Sequence, residues 1–281
     1  MALTQILPSV LRLLPTIERI KPLLEAPVLE DQNLAEMGTI SGKVEIDNLT
    51  FRYKQDSPYI LKDINMEINP GEFVAFVGPS GSGKSTLLRL LLGLEACSSG
   101  NILYDGRDIT QVSIKSLRKQ LGVVLQSGRL LPGSILQNIS GAQKLSMEAA
   151  WKLADQAALA QEIQDMPMGM HTNLTHGDAL LSGGQKQRLL IARALSGNPK
   201  VLLFDEATSA LDNQSQARVM RNIESLRTTR IVIAHRLSTI INADKIFVFN
   251  EGKIVQSGSY RELSTQEGLF QDLVKNQTSA S

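Results

Sequence analysis

Cysteine is almost missing: Cys97 is the only one in 281 residues. A single thiol excludes an intramolecular disulfide and any zinc site built on paired thiolates, and it suits a reducing compartment. By itself it reads as a small hydrophobe at the end of a helix. An excess of one charge is missing too. Lys plus Arg number 29 against 28 for Asp plus Glu, a formal net charge of +1. No bulk field therefore draws the chain toward nucleic acid, and none is expected as a partner. No run reaches the roughly 18 apolar residues of a membrane-spanning helix. The leucine-rich N-terminus is interrupted by Arg12, Glu18, Arg19 and Lys21 and lacks the apolar core and cleavage site of a secretory signal. These absences predict a cytosolic chain, with contact to a membrane through a partner left open. No internal repeat or low-complexity run is visible, which excludes a tandem duplication.

What is present is a folding composition, 42% apolar and 20% charged, too rich in apolar residues for a disordered chain. Residues 1–30 form a block of their own. Leu3, Ile6, Leu7, Val10, Leu13, Leu14, Ile17 and Leu24 recur at three- and four-residue spacing, while Pro8, Pro15 and Pro22 predict breaks between short helical pieces. So apolar a stripe needs a partner. We read the block as a linker from something larger, the alternative being a helix packed on its own domain. The polar, glycine-containing stretch 31–42 reads as a connecting segment. Val44–Tyr53 and Ile60–Ile68 alternate as antiparallel strands, and Phe73–Val77, Leu121–Leu125, Val201–Phe204 and Ile231–Ala234 read as buried strands. Met147–Leu159 and Gln185–Leu195 have helical patterns, and Lys245–Phe249 with Lys253–Gln256 reads as a late hairpin. Strand and helix alternate, which predicts an α/β fold around a mostly parallel sheet.

Three motifs carry chemistry. Gly78-Pro79-Ser80-Gly81-Ser82-Gly83-Lys84-Ser85-Thr86 has the phosphate-loop spacing and lies between the Phe73–Val77 strand and a helix from Thr86. Small residues let backbone N–H groups turn inward onto phosphate oxygens, Lys84 adds a full charge, and the Ser85 hydroxyl is a Mg²⁺ ligand. Val201-Leu202-Leu203-Phe204-Asp205-Glu206 ends a buried strand in two carboxylates, at the strand end where α/β sheets bind ligands. Asp205 would hold Mg²⁺ through its water shell, leaving Glu206 to polarise the attacking water as general base. Leu181-Ser182-Gly183-Gly184-Gln185 opens a helix with a cap and bare backbone, a second anion site. One triphosphate does not need two such sites from one chain. Two copies head to tail, each offering this loop to the ATP of the other, would use both.

With that motif the sequence resembles the ATP-binding-cassette family over about residues 43–276, with 277–281 a tail. The resemblance implies a P-loop cassette: a mixed β-sheet core, an antiparallel β subdomain, and a helical subdomain over about 133–190. It also implies roles for single residues. Tyr53, 25 residues before Gly78, would stack on adenine, the alternative being a core aromatic. Gln126 would sense Mg²⁺ and the attacking water, and His235 would contact the γ-phosphate. Ser209-Ala210-Leu211-Asp212 would cross to the opposite subunit, bringing Asp212 to the nucleotide.

Within the family, Ile233-Ala234-His235-Arg236-Leu237-Ser238-Thr239-Ile240 and Asp205–Asp212 look like exporter ATPase domains, and Glu18–Glu25 resembles the elbow that follows a last membrane helix. Gly122–Ile135 and Met166–Thr172 resemble bacterial peptide exporters of the NHLM bacteriocin type. The expected partner is thus a transmembrane domain, and the expected location the cytoplasmic face of the membrane. The stretch Thr175–Leu180 departs from the exporter pattern, with His176 where Glu is common and Asp178 where Gly is common, which weakens the inference of coupling. An importer subunit is the nearest rival, but should lack the elbow. A soluble chromosome-type cassette would need a long heptad array, a translation-type cassette two ATPase units, and a signalling GTPase an Asn-Lys-x-Asp motif.

Overall fold

Alternating burial builds the first sheet. Strand β1 (Val44–Phe51) buries Val44, Ile46, Leu49 and Phe51, and pairs antiparallel with β2 (Leu61–Ile68) on one side and β4 (Ser99–Tyr104) on the other. The alternation slips at Asp47–Asn48, where Asn48 takes a positive φ of 48° and both ladders shift register, as at a β-bulge. The short β5 (Arg107–Asp108) completes a four-stranded sheet in the order β2-β1-β4-β5.

The second sheet has six strands. Strands β3 (Phe73–Val77), β7 (Val201–Asp205) and β8 (Thr229–Ile233) are buried at every residue, as expected of parallel strands covered on both faces. With β6 (Leu121–Val124), β9 (Lys245–Asn250) and β10 (Lys253–Gly258) they run in the order β10-β9-β3-β8-β7-β6, and only the β10–β9 pair is antiparallel. Side chains sort by parity. Phe73, Ala75 and Val77 enter one core, while Val74 and Phe76 enter the other. The second core is shared with the antiparallel sheet and helix α1 (Lys84–Leu91), the first with the helices inserted between β6 and β7.

This computed structural model describes residues 15, 17–22, 24, 34–174, 181–205, 211–234 and 236–278. The remaining helices are α2 (Ile114–Arg118), α3 (Ile135–Ser140), α4 (Met147–Gln156), α5 (Ala160–Gln164), α6 (Gly183–Leu195), α7 (Asn213–Glu224), α8 (Leu237–Ile240), α9 (Tyr260–Thr265) and α10 (Leu269–Thr278). The chain divides into two units, Met1–Leu34 and Ala35–Ser281. In the first, residues 15, 17–22 and 24 are helical, Pro22 included. Pro8 lies outside the described residues. Among those residues no helix is long and apolar enough to cross a membrane.

Three readings need correction. The connecting segment 31–42 is not one piece, because its second half belongs to the larger unit. Met37 and Ile40 are buried, the Met37 N–H donates to Ser116 Oγ (2.8 Å), and Ile40 N–H donates to Gln120 Oε1 (2.9 Å). The single helix expected over 147–159 stops at Gln156. Ala158 adopts φ 55°, Leu159 N–H donates to Ala154 O and Ala158 N–H to Asp155 O, the two bonds of a Schellman cap with alanine where glycine is usual. Cys97 ends no helix. It lies in the loop before β4, half-buried against the second core, where its thiol donates to Gly100 O (3.2 Å) and burial pushes its pKa up.

Candidate functional site

The loop between β3 and α1 is shaped by glycines with different jobs. A Cβ on Gly78 would fall 2.1 Å from Phe249 O, so only hydrogen fits between the loop and β9. At Gly81 the backbone holds φ +79° and an added Cβ would meet nothing within 4 Å, so there the chain faces open space. Gly83 is the N-cap of α1 and makes no side-chain cap, so the helix start is backbone alone, the arrangement that suits an anion. Lys84 is 5% exposed. Its ammonium donates to Gly78 O (2.9 Å), Pro79 O (2.7 Å) and Ser82 Oγ (3.2 Å), and is thus drawn to the inside of the loop.

A cleft of about 380 Å³ opens on this loop. Ser80, Gly81, Gly83, Lys84, Ser85 and Thr86 line it together with Gln126, which arrives from the segment after β6. Ser85 Oγ donates to Asp205 Oδ1 at 3.4 Å, and Asp205 is buried at the end of β7. The parallel register places these groups together, since β7 and β3 flank β8 and both end at the same sheet edge. A hydroxyl and a carboxylate side by side are hard oxygen donors suited to Mg²⁺. Among the described residues no group of three or more His, Cys, Asp or Glu could hold a metal unaided.

Tyr53 is half-exposed, not a core aromatic. It packs edge-on to Phe51 with centroids 4.9 Å apart, and its hydroxyl lies 3.4 Å from Thr86 Oγ1 at the cleft. Ser182 caps α6 reciprocally: its Oγ accepts from Gln185 N–H (3.2 Å), and Gln185 Oε1 accepts from Ser182 N–H (2.9 Å). As acceptor in that cap, the Ser182 hydroxyl keeps its own proton to donate outward. Gly183 and Gly184 add no side chain to the helix start. Asp212, expected at the nucleotide, also has work within its own chain. It is the N-cap of α7, accepting from Gln214 N–H (3.0 Å) and Ser215 N–H (2.9 Å), and hydrogen bonds from Ser215 hold its carboxyl below the usual range. Glu206, His235, Ser209, Ala210, His176 and Asp178 lie outside the described residues.

Two arginines have roles that the sequence does not show. Arg236 follows His235 and donates to Leu211 O and Gln216 Oε1, both at 2.8 Å, which ties the segment after β8 to the start of α7. Arg193 on α6 donates to Asn138 O (2.7 Å), to Arg129 O (3.0 Å) and to the Asn138 side-chain oxygen. Asn138 is fully buried and exchanges two bonds of 2.9 Å with the Leu131 backbone. The segment that follows Gln126 is therefore clamped to the helix that Ser182 begins. Arg236 stands inside a stretch already singled out and Arg193 in none, and the sequence signals the contacts of neither, because their acceptors lie 20 or more residues away.

A glycine loop closing on a buried lysine, with a serine hydroxyl turned onto the aspartate of a neighbouring parallel strand, defines a phosphate-loop nucleotide-binding protein. The family described as ABC transporter matches residues 61–209, just over half the chain, and the chain belongs to that family. It is similar to the alpha-hemolysin translocation ATP-binding protein HlyB of Escherichia coli O6:H1, at 43% identity over 267 residues, covering 94% of this chain and 38% of that protein. It is equally similar to the leukotoxin translocation ATP-binding protein LktB of a Pasteurella haemolytica-like species, at 43% identity over 91% of this chain and 37% of that protein. Among solved structures, a bacterial Atm1-family ABC exporter with ATP bound matches at TM-score 0.87 and 37% identity, over 94% of this chain and 47% of that one. The chain spans less than half the length of each of these relatives.

Proposed function

We propose that this chain is the ATP-hydrolysing domain of an exporter, working at the cytoplasmic face of a membrane beside a transmembrane domain. The supporting observation is the convergence of Lys84, Ser85 and Gln126 on one cleft, with Asp205 behind Ser85. Lys84 and the loop N–H groups bind and orient the phosphates. Mg²⁺, held by Ser85, Asp205 and Gln126, would offset phosphate charge when bound. Glu206 takes the proton of the attacking water and His235 contacts the γ-phosphate. Tyr53 stacks on the base.

The start of α6, with the Ser182 hydroxyl and the backbone of Gly183 and Gly184, serves a nucleotide held by a second copy. The working unit is then a head-to-tail homodimer closed by ATP, with Gln185 and Asp212 near the shared boundary. The cargo in this reading is a polypeptide. Relatives named for toxin translocation support that class, and the likeness of Gly122–Ile135 to bacteriocin exporters favours a short peptide.

The test is mass by light scattering of the Glu206→Gln chain with Mg-ATP and with Mg-ADP, across a concentration series. A dimer with ATP and a monomer with ADP are expected. Equal masses at the highest concentration would overturn the shared-nucleotide reading.

A further inference from the structure

At the end of the sheet away from the phosphate loop, a second cavity of about 330 Å³ lies between α7 and α8. It reaches Phe73 and Arg230, near the starts of β3 and β8, whereas the phosphate loop follows the last residue of β3. Its size is at the small end of the range for sites that enclose small molecules, roughly 300–1,000 Å³.

Two buried polar residues in its wall are satisfied. Gln216 donates to Thr239 Oγ1 (2.8 Å) and accepts from Arg236. Arg230 differs. Its side chain lies over the Phe73 ring, with the guanidinium carbon 4.7 Å from the centroid, and the residue is only 7% exposed. Its Nε is buried with no hydrogen-bond partner, and among the described residues no ion pair reaches the guanidinium. The neighbouring carboxylates do not meet it: Asp244 accepts from Phe73 N–H (2.8 Å), and Glu224 is exposed on α7. Burial pulls the Arg230 pKa down, against the charges of Glu224 and Asp244. A buried N–H of a cationic group without an acceptor is costly, and the cavity beside it is where an acceptor can enter.

We propose that this cavity binds a small monocarboxylate with a short apolar body, the carboxylate on Arg230 and the body against Phe73, Ala217 and Met220. The guanidinium fork matches a planar carboxylate through two parallel bonds. Besides Arg230 the wall carries one cation and one anion, Arg221 and Glu224, so preference for a carboxylate over inorganic phosphate rests on the apolar body. The apolar lining residues give the body a surface that inorganic anions cannot use.

Calorimetry and NMR titration of the full chain with hexanoate test this, with 1-hexanol and inorganic phosphate as the uncharged and bodiless controls. Saturable hexanoate binding is expected, about tenfold or more tighter than either control. Arg230→Leu should weaken hexanoate about tenfold or more while leaving ATP affinity unchanged, since the nucleotide cleft is elsewhere. Ala217→Phe, made on an exposed position of α7, should fill the cavity and abolish hexanoate binding with Arg230 intact, and it carries the test if Arg230→Leu does not fold. Absence of saturable binding, equal binding of hexanol or phosphate, or hexanoate binding indifferent to a folded cavity variant would each overturn the proposal.

Discussion

The Arg193 guanidinium donates to the Asn138 carbonyl at 2.7 Å, across 55 residues of sequence, and so fastens the helix begun by Ser182 to the turn behind Gln126. Arg193→Met would keep the apolar stem and strip the donors from the Asn138 and Arg129 carbonyls. We expect a loss of about 1.5–3 kcal/mol, read from urea midpoints, the worth of a hydrogen bond to a charged group. An unchanged midpoint would show that the clamp contributes nothing.

Lys84→Ala removes a buried charge from the inside of the phosphate loop. ATP affinity, measured by calorimetry, should fall by about ten- to a hundredfold, the equivalent of one charge-assisted hydrogen bond. Retained affinity would mean that the backbone N–H groups alone hold the phosphates.

Glu206→Gln separates binding from chemistry. The amide is nearly isosteric but takes no proton, so steady-state phosphate release should drop by about 10²–10⁴-fold while ATP affinity stays near that of the parent. Turnover close to normal would remove Glu206 from the role of base.

Asp212 links the cap of α7 to pH. Its folded pKa is depressed, so its stabilising effect is present above the ordinary Asp range and disappears as pH falls through the lowered folded value. Asp212→Asn keeps the acceptor oxygen but not the charge. The stability gap between parent and Asp212→Asn should therefore be visible at pH 7 and shrink in acid, while Asp212→Ala should be less stable than Asp212→Asn at both. A gap that grows in acid contradicts this linkage.

Ala158 occupies a left-handed position that disfavours any L side chain by about 1–2 kcal/mol. Glycine removes that strain but widens the unfolded ensemble, at a cost of about 0.4–1 kcal/mol. Ala158→Gly should be stabilising by about 0.5–1 kcal/mol in urea denaturation, the difference between those two effects. A destabilised variant would mean that the Ala158 methyl matters more to the core than its backbone strain.

Legibility in the sequence followed the range over which each feature is decided. The phosphate loop, the buried strands and the late hairpin are written in contiguous residues, so spacing and burial pattern located them to within a residue or two. The cap at Ala158 was illegible because alanine is the strongest helix former, and only long-range packing, with Arg188 donating to Ala158 O at 2.9 Å, reveals the stop. Met37 and Ile40 read as connector because two apolar residues among glycines and polar residues make no period. The meeting of Ser85 with Asp205 was inferable from motif order. Those of Arg236 with Gln216 and of Arg193 with Asn138 depend on how the sheet order folds the chain back.

The parity of β3 has a consequence for how this strand could change in length. Phe73, Ala75 and Val77 belong to one core, Val74 and Phe76 to the other, and the neighbouring strands divide in the same way. Deleting or inserting one residue would exchange the two sets, sending a phenylalanine into the space of a valine or alanine on each face. It would also turn the chain leaving the strand to the wrong side, so that Gly78 no longer abutted Phe249. Two residues added or lost together would preserve both. Length variation in this strand is thus quantised in pairs, and any chain of this architecture with a longer β3 should carry an even number of extra residues.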